Sequence, residues 1–238
     1  MLFRSGHGGA LRGWRSHRLY VPSERLSVVV LFNHLSDANA AALDLLAAAL
    51  GETRERPAPP AAAPDWLGAY LDPETGLSVR LDATAEGHVR LRFGHSPERL
   101  DVAADGSASS SGTRLAAGPG GLVMERPFEN STSLLQPCAG ASAADVAGRY
   151  RCAELEAELA VADAGGVLFG AFSGFLGQGR MEMLEPIGPD LWALPCPRAL
   201  DHTPPGDWTL AFKRDGGTVT GVELGCWLAR RLPYARLG

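Results

Sequence analysis

With 238 residues, 45% of them hydrophobic and 21% charged, the chain has the make-up of a globular protein, large enough for one sizeable domain or two to three small ones. A net charge of −5 weighs against nucleic acid as a main partner. The longest apolar run, from Ala40 to Leu50, is too short to span a bilayer and is interrupted by Asp44, so no membrane partner is expected.

The opening Met-Leu-Phe-Arg-Ser-Gly-His carries neither the apolar core nor the small-residue cleavage site of a signal peptide. Cys138, Cys152, Cys196 and Cys226 show no CxxC spacing, and the chain is too long and too poor in Cys for a disulfide scaffold. Core thiols, a cytoplasmic location and no metal site are the expectation.

In chain order, residues 11–20 read as a strand, 21–25 as a turn and 26–33 as a second strand. The run Leu-Ser-Val-Val-Val-Leu-Phe-Asn at 26–33 is apolar on both faces, which calls for a sheet covered on both sides. Ser36 or Asp37 then caps a helix rich in Ala and Leu that runs to Leu50 and stops at Gly51. Two strands and one helix are too little to bury such a strand. Residues 1–51 are therefore expected to be a remnant of a larger domain, or to dock on the rest of the chain.

Residues 52–64 form a Pro/Ala linker, semi-rigid and extended. Residues 65–137 carry short alternations at 77–81, 89–93 and 122–124, separated by turn sequences such as Asp-Pro-Glu-Thr-Gly at 72–76. This predicts a small antiparallel barrel or sandwich, with connector composition rich in Ser, Ala and Pro from Pro127 to Ala144. Residues 145–238 repeat the theme: Gly148-Arg-Tyr150 echoes Gly68-Ala-Tyr70, and the alternation through Leu159 and Val161 echoes Leu77, Val79 and Leu81. Two divergent copies of one β unit are expected.

The segment Gly6-His7-Gly8-Gly9-Ala10-Leu11-Arg12-Gly13-Trp14-Arg15-Ser16-His17 places a donor, His7, before small residues. Gly8 and Gly9 let a substrate backbone come close to a strand, and His7 can hold a substrate carbonyl or carboxylate. The string resembles the third motif of the serine β-lactamase and penicillin-binding-protein superfamily, in the form where His replaces the Lys of Lys-Thr-Gly. The superfamily's nucleophile motif, Ser-x-x-Lys, is absent from these residues: Lys213 is the sole lysine, and Leu210 stands three places before it. Tyr-x-Asn or Ser-x-Asn is absent too, since Leu31, Asp37 and Phe128 precede Asn33, Asn39 and Asn130 by two places.

Further on, residues 174–181 (Gly-Phe-Leu-Gly-Gln-Gly-Arg-Met), 194–198 (Leu-Pro-Cys-Pro-Arg), 206–208 (Gly-Asp-Trp) and 225–230 (Gly-Cys-Trp-Leu-Ala-Arg) resemble the last domain of bacterial D-aminopeptidases. The resemblance implies a mainly β chain with two small eight-stranded, lipocalin-like antiparallel barrels behind a partial α/β segment, the end of a β-lactamase-like catalytic domain. It implies a D-stereospecific serine aminopeptidase acting on short peptides, amino-acid amides or esters, without a cofactor. A homodimer stays open, and the chain is expected to be inactive without its nucleophile. A loop of the final barrel restricts the pocket in that family, and Gly177, Gln178, Gly179 and Arg180 are the substrate-binding candidates for it; an ordinary hairpin turn is the competing reading.

A second function class is a non-enzymatic two-barrel module for binding or assembly. Trp192, Trp208 and Trp227 read as barrel core, and His88, His95 and His202 as solvent-facing. Glu154, Glu156 and Glu158 read as the solvated face of a strand.

Overall fold

The computed structural model describes residues 5–11, 14–34, 36–52, 63–94, 97–175, 177–196 and 206–238. They fall into two compact units, one holding the N-terminal segment and the other both barrels. The predicted linker residues 53–62, as well as Arg12, Gly13, His95, Pro197, Arg198 and His202, lie outside the described residues.

The first unit is an antiparallel sheet of β1 (Ser5–Leu11), β2 (Trp14–Val21) and β3 (Leu26–Phe32), in that order, followed by helix α1 (Ala38–Ala49). The Gly-rich string thus forms a strand of its own, and Leu11 ends β1 rather than opening β2. The Asp37 carboxylate accepts a hydrogen bond from the Ala40 amide at 2.9 Å, which selects Asp37 over Ser36 as the cap. Ala38, Ala42 and Leu46, spaced by four, bury one helix face against Leu19, Val21, Val28 and Val30. The opposite sheet face is bare: Val29 is 63% and Leu31 is 75% exposed, with Leu11, Trp14 and Tyr20 beside them. Strand β3 is apolar on both faces, as predicted, but only one face is covered.

The second unit begins with a closed eight-stranded barrel: β4 (Gly68–Asp72), β5 (Leu77–Ala83), β6 (Val89–Arg92), β7 (Glu98–Val102), β8 (Ala108–Ser109), β9 (Arg114–Gly118), β10 (Gly121–Arg126) and β11 (Ser131–Pro137). Leu77, Val79 and Leu81 point inward with Leu91, Leu100, Leu115, Met124 and Leu135, so side chains fill the interior. Strand β11 lies in the stretch whose composition reads as connector. Its inward Ser133 and Leu135 are buried while Thr132 and Leu134 face out, an alternation that Ser and Thr conceal.

The remaining strands are β12 (Gly148–Cys152), β13 (Ala157–Ala164), β14 (Val167–Gly174), β15 (Gly177–Gln178), β16 (Glu182–Met183), β17 (Glu185–Gly188), β18 (Leu191–Leu194), β19 (Trp208–Asp215), β20 (Thr218–Gly225) and β21 (Leu232–Arg236). They form a curled sheet rather than the continuous eight-stranded ladder expected. One segment, 182–188, leads the curl round: its start pairs with β14 as β16 and its end pairs with β18 as β17. The ladder breaks at buried Leu184, and the β17 register shifts at Pro186, which has no N–H to donate.

The internal repeat extends to single hydrogen bonds. Gly68 and Gly148 open their barrels at φ 145 and 155, a backbone region suited to glycine. Two residues on, the Tyr70 hydroxyl donates to the Trp66 carbonyl and the Tyr150 hydroxyl to the Val146 carbonyl, both at 2.6 Å. Tyr70 faces Val79 across the ladder as Tyr150 faces Leu159. Burial pushes both phenols above their ordinary pKa, and it pushes Tyr234 up to about 12.

Within this unit the outer face of the first barrel packs on the outer face of the curled sheet. Ala69 and Leu71 meet Ile187, Leu191, Ala193 and Ala211. The Thr209 hydroxyl accepts from the Ser78 amide at 2.8 Å and lies 3.0 Å from the Ser78 hydroxyl. Arg80 pairs with Glu185 and Asp207, while Arg92 reaches Glu185 at 3.3 Å and Asp82 at 2.9 Å. Strand β5 is therefore buried on both faces for five consecutive residues, including Ser78 and Arg80.

Candidate functional site

Strand β1 carries His7, Gly8 and Gly9 at the edge of the three-stranded sheet, where it pairs with β2 on one side. An edge strand presents backbone N–H and C=O groups to which an extended peptide can add. Register places His7 opposite Arg18, and Arg18 opposite Val29, so these three share the bare face. His7 and Arg18 are both exposed. The imidazole and the guanidinium offer hydrogen-bond donors for a carbonyl or carboxylate laid along the strand.

The glycines of β1 are filled in by side chains of β2. A Cβ at Gly6 would stand 2.7 Å from Leu19 Cδ2 and 2.9 Å from the Arg18 carbonyl oxygen, and one at Gly8 would stand 3.3 Å from His17 Nδ1. At Gly9 the Ser16 hydroxyl oxygen would lie 2.6 Å from such a Cβ. Glycine at 6, 8 and 9 thus lets the neighbouring strand's own side chains lie across β1, before any substrate is considered. His17 lies on the helix-covered face with Leu19, away from His7; the alternation of β2 is the signal that separates the two histidines.

In the other unit, Gly177, Gln178, Gly179 and Arg180 follow the tip of a hairpin in which Gly174 pairs with Gly177 and Ser173 with Gln178. The Gly179 amide donates to the Phe172 carbonyl at 2.8 Å, holding the return strand. Arg180 is paired with Glu182. Phe175 in the hairpin turn is 96% exposed, and Met181 and Met183 are half exposed. The candidate residues thus lie on the returning side of a hairpin whose turn exposes Phe175, and Gln178 and Arg180 are exposed as well.

Other residues also depart from expectation. His88 is largely buried, with its Nδ1 2.9 Å from the Asp101 carboxylate, instead of facing solvent. Glu154 and Glu156 sit in the β12–β13 turn, while Glu158 alone is on the strand, paired with Arg149 and Arg151. Trp192 is buried in the core of the curled sheet and Trp208 packs against the same core. Trp227 belongs to the core of the first barrel. Cys152 and Cys226 are buried free thiols, whereas Cys138 and Cys196 are only half buried. Among the described residues no group of three His, Cys, Asp or Glu is placed to hold a metal ion, and no helix is long and apolar enough to cross a membrane.

The family model for D-aminopeptidase, domain B, matches residues 60–235, a stretch that takes in the closed barrel and the curled sheet. The chain belongs to the D-aminopeptidase family. It is 54% identical to a D-aminopeptidase of Gluconobacter oxydans over 240 residues, covering 97% of this chain and 45% of the relative. A D-aminopeptidase of Cereibacter sphaeroides is 49% identical and one of Brucella melitensis 44%, each over 98% of this chain and 45% of its own length. The chain thus spans a little under half the length of the D-aminopeptidases it matches, and these matches take in the three-stranded sheet as well as the barrels.

Proposed function

We propose that this chain forms part of a serine D-aminopeptidase of the β-lactamase and penicillin-binding-protein type, which removes N-terminal D-residues from short peptides, amides or esters. The observation that carries the proposal is the half-covered sheet: an edge strand bearing His7, one face closed by α1, and an apolar face left bare at Val29 and Leu31. A sheet of this kind is stable when both faces are covered. A nucleophile of the Ser-x-x-Lys kind has to come from a segment outside these residues, since Lys213 is the sole lysine.

In the completed site a serine from that segment attacks the scissile carbonyl, expels the amine and leaves an acyl-enzyme that water resolves. His7 donates a hydrogen bond to substrate oxygen from the strand edge, and the unpaired backbone of β1 is free to pair with an extended substrate. The filled interior of the first barrel supports a shaping role for the barrels over the enclosure of a ligand.

The test is hydrolysis of a D-alanine anilide by this chain alone and by this chain produced together with the unmatched part of the Gluconobacter D-aminopeptidase. The chain alone is expected to be silent, and the pair to release the aniline from the D but not the L substrate. A pair that forms a stable complex and still cleaves nothing would favour the binding-module reading. In the active pair, His7→Ala is expected to lower kcat about 100-fold, the usual loss on removing one oxyanion donor. The fold should survive that change, because the imidazole is exposed.

A further inference from the structure

The loop between β20 and β21 belongs by connectivity to the curled sheet, yet its Trp227 packs with Trp66, Leu67 and Val102 on the core of the first barrel. The indole meets the Phe93 ring edge-on, with centroids 6.2 Å apart. The Arg126 guanidinium carbon lies 5.3 Å from the Phe93 centroid and 5.4 Å from that of Trp227, and Arg230 approaches the indole at 5.7 Å. Arg126 is buried and is itself fixed by Thr113 at 2.8 Å and by Glu129.

The first barrel has made room for this visitor. Gly94 stands at φ 71, and a Cβ there would come within 2.9 Å of the indole. At Gly225, where the loop departs, a Cβ would lie 2.9 Å from Leu77 of the first barrel. The loop is closed on itself by the Cys226 amide donating to the Ala229 carbonyl at 2.6 Å, which turns Trp227 to one side and leaves the neighbouring Leu228 79% exposed.

We infer that the β20–β21 loop is a plug: Trp227 completes the core of the first barrel, whose own side chains fill the interior but leave it uncovered at Phe93 and Gly94. The two barrels unfold as one unit for this reason, and the first barrel reaches its full stability only after the last strands of the second have formed. Aromatic and cation–π contacts at this partly buried joint, above all those of the buried Arg126 and Phe93, add to the apolar burial that the indole supplies.

Native-state hydrogen exchange on the whole chain, together with calorimetry, tests the inference. Wild type is expected to give one calorimetric transition for the two barrels. In Trp227→Ala, exchange at β6 and β10 of the first barrel is expected to rise about 100-fold, as befits truncation of a large core aromatic, while β13 and β14 of the curled sheet stay protected. Gly94→Ala, made from the other side of the joint, should reproduce the pattern, and Leu228→Ala in the same loop should leave it unmoved. Loss of protection in the curled sheet with the first barrel intact would overturn the inference, as would two well-separated transitions in wild type.

Discussion

Leu31→Asp is expected to leave this chain as stable as before and to abolish the activity gained when the complementary segment is supplied. Leu31 is 75% exposed on the bare face of the sheet, so in the isolated chain the substitution exchanges one solvated group for another, a change worth within about 0.5 kcal/mol. If that face is covered in the completed catalytic domain, the same carboxylate is driven into an apolar contact without a partner. An isolated ionised carboxylate there costs several kcal/mol at least, enough to prevent assembly. Leu31→Ala keeps the face apolar and should only weaken the complex, by about 2–5 kcal/mol at most. Circular dichroism of the isolated variant and anilide hydrolysis by the pair read the two halves of the expectation. An Asp variant that assembles and turns over like wild type would mean the bare face is solvent-exposed in the enzyme as well.

This expectation shows how far the sequence could be read. The pattern 26–33 announces a strand needing cover on both sides, and the shortage of local elements to cover it announces that something is missing. The helix and its stop follow from Asp37, the Ala/Leu run and Gly51. The repeat is legible from Gly-x-Tyr at 68–70 and 148–150, because each residue type answers a local demand: a positive-φ opening, then a hydroxyl returned to the chain four residues back.

The contacts that no local pattern announces are long-range. Ser78 and Arg80 alternate with Leu77, Val79 and Leu81 as outward residues should, and outward they are, but the second barrel covers them. No local pattern says that an outward face meets another barrel. Trp227 reads as barrel core, and the core it joins is that of the first barrel although its loop links strands of the curled sheet. At the candidate site the glycines around His7 suggest room for substrate, and only the strand register reveals that Leu19, His17 and Ser16 already use that room.

The buried ion pair across the barrels should respond asymmetrically to removal of its two sides. The Arg80 side chain is 7% exposed, and burial first, with Arg92 alongside second, disfavours its charge. Glu185 and Asp207 offset that penalty from the other barrel, and each keeps roughly a quarter to a third of its own side chain in solvent. Replacing both carboxylates, in Glu185→Ala with Asp207→Ala, strands the guanidinium in the interface and is expected to cost about 3–5 kcal/mol.

Arg80→Met removes the buried cation itself. The two acids then relax toward solvent, Glu185 retains Arg92 at 3.3 Å, and the methionine stem fills much of the vacated space. Its cost should be under half that of the acid pair. Adding Arg80→Met to the double acid variant should recover stability instead of losing more, because it removes the orphaned charge; this sign reversal is the decisive reading. Urea unfolding at neutral pH measures all three variants, and since the pair is buried the differences should persist at high salt. Costs that merely add, with the triple variant the least stable, would show that Arg80 contributes through packing and not through a buried charge needing those two partners.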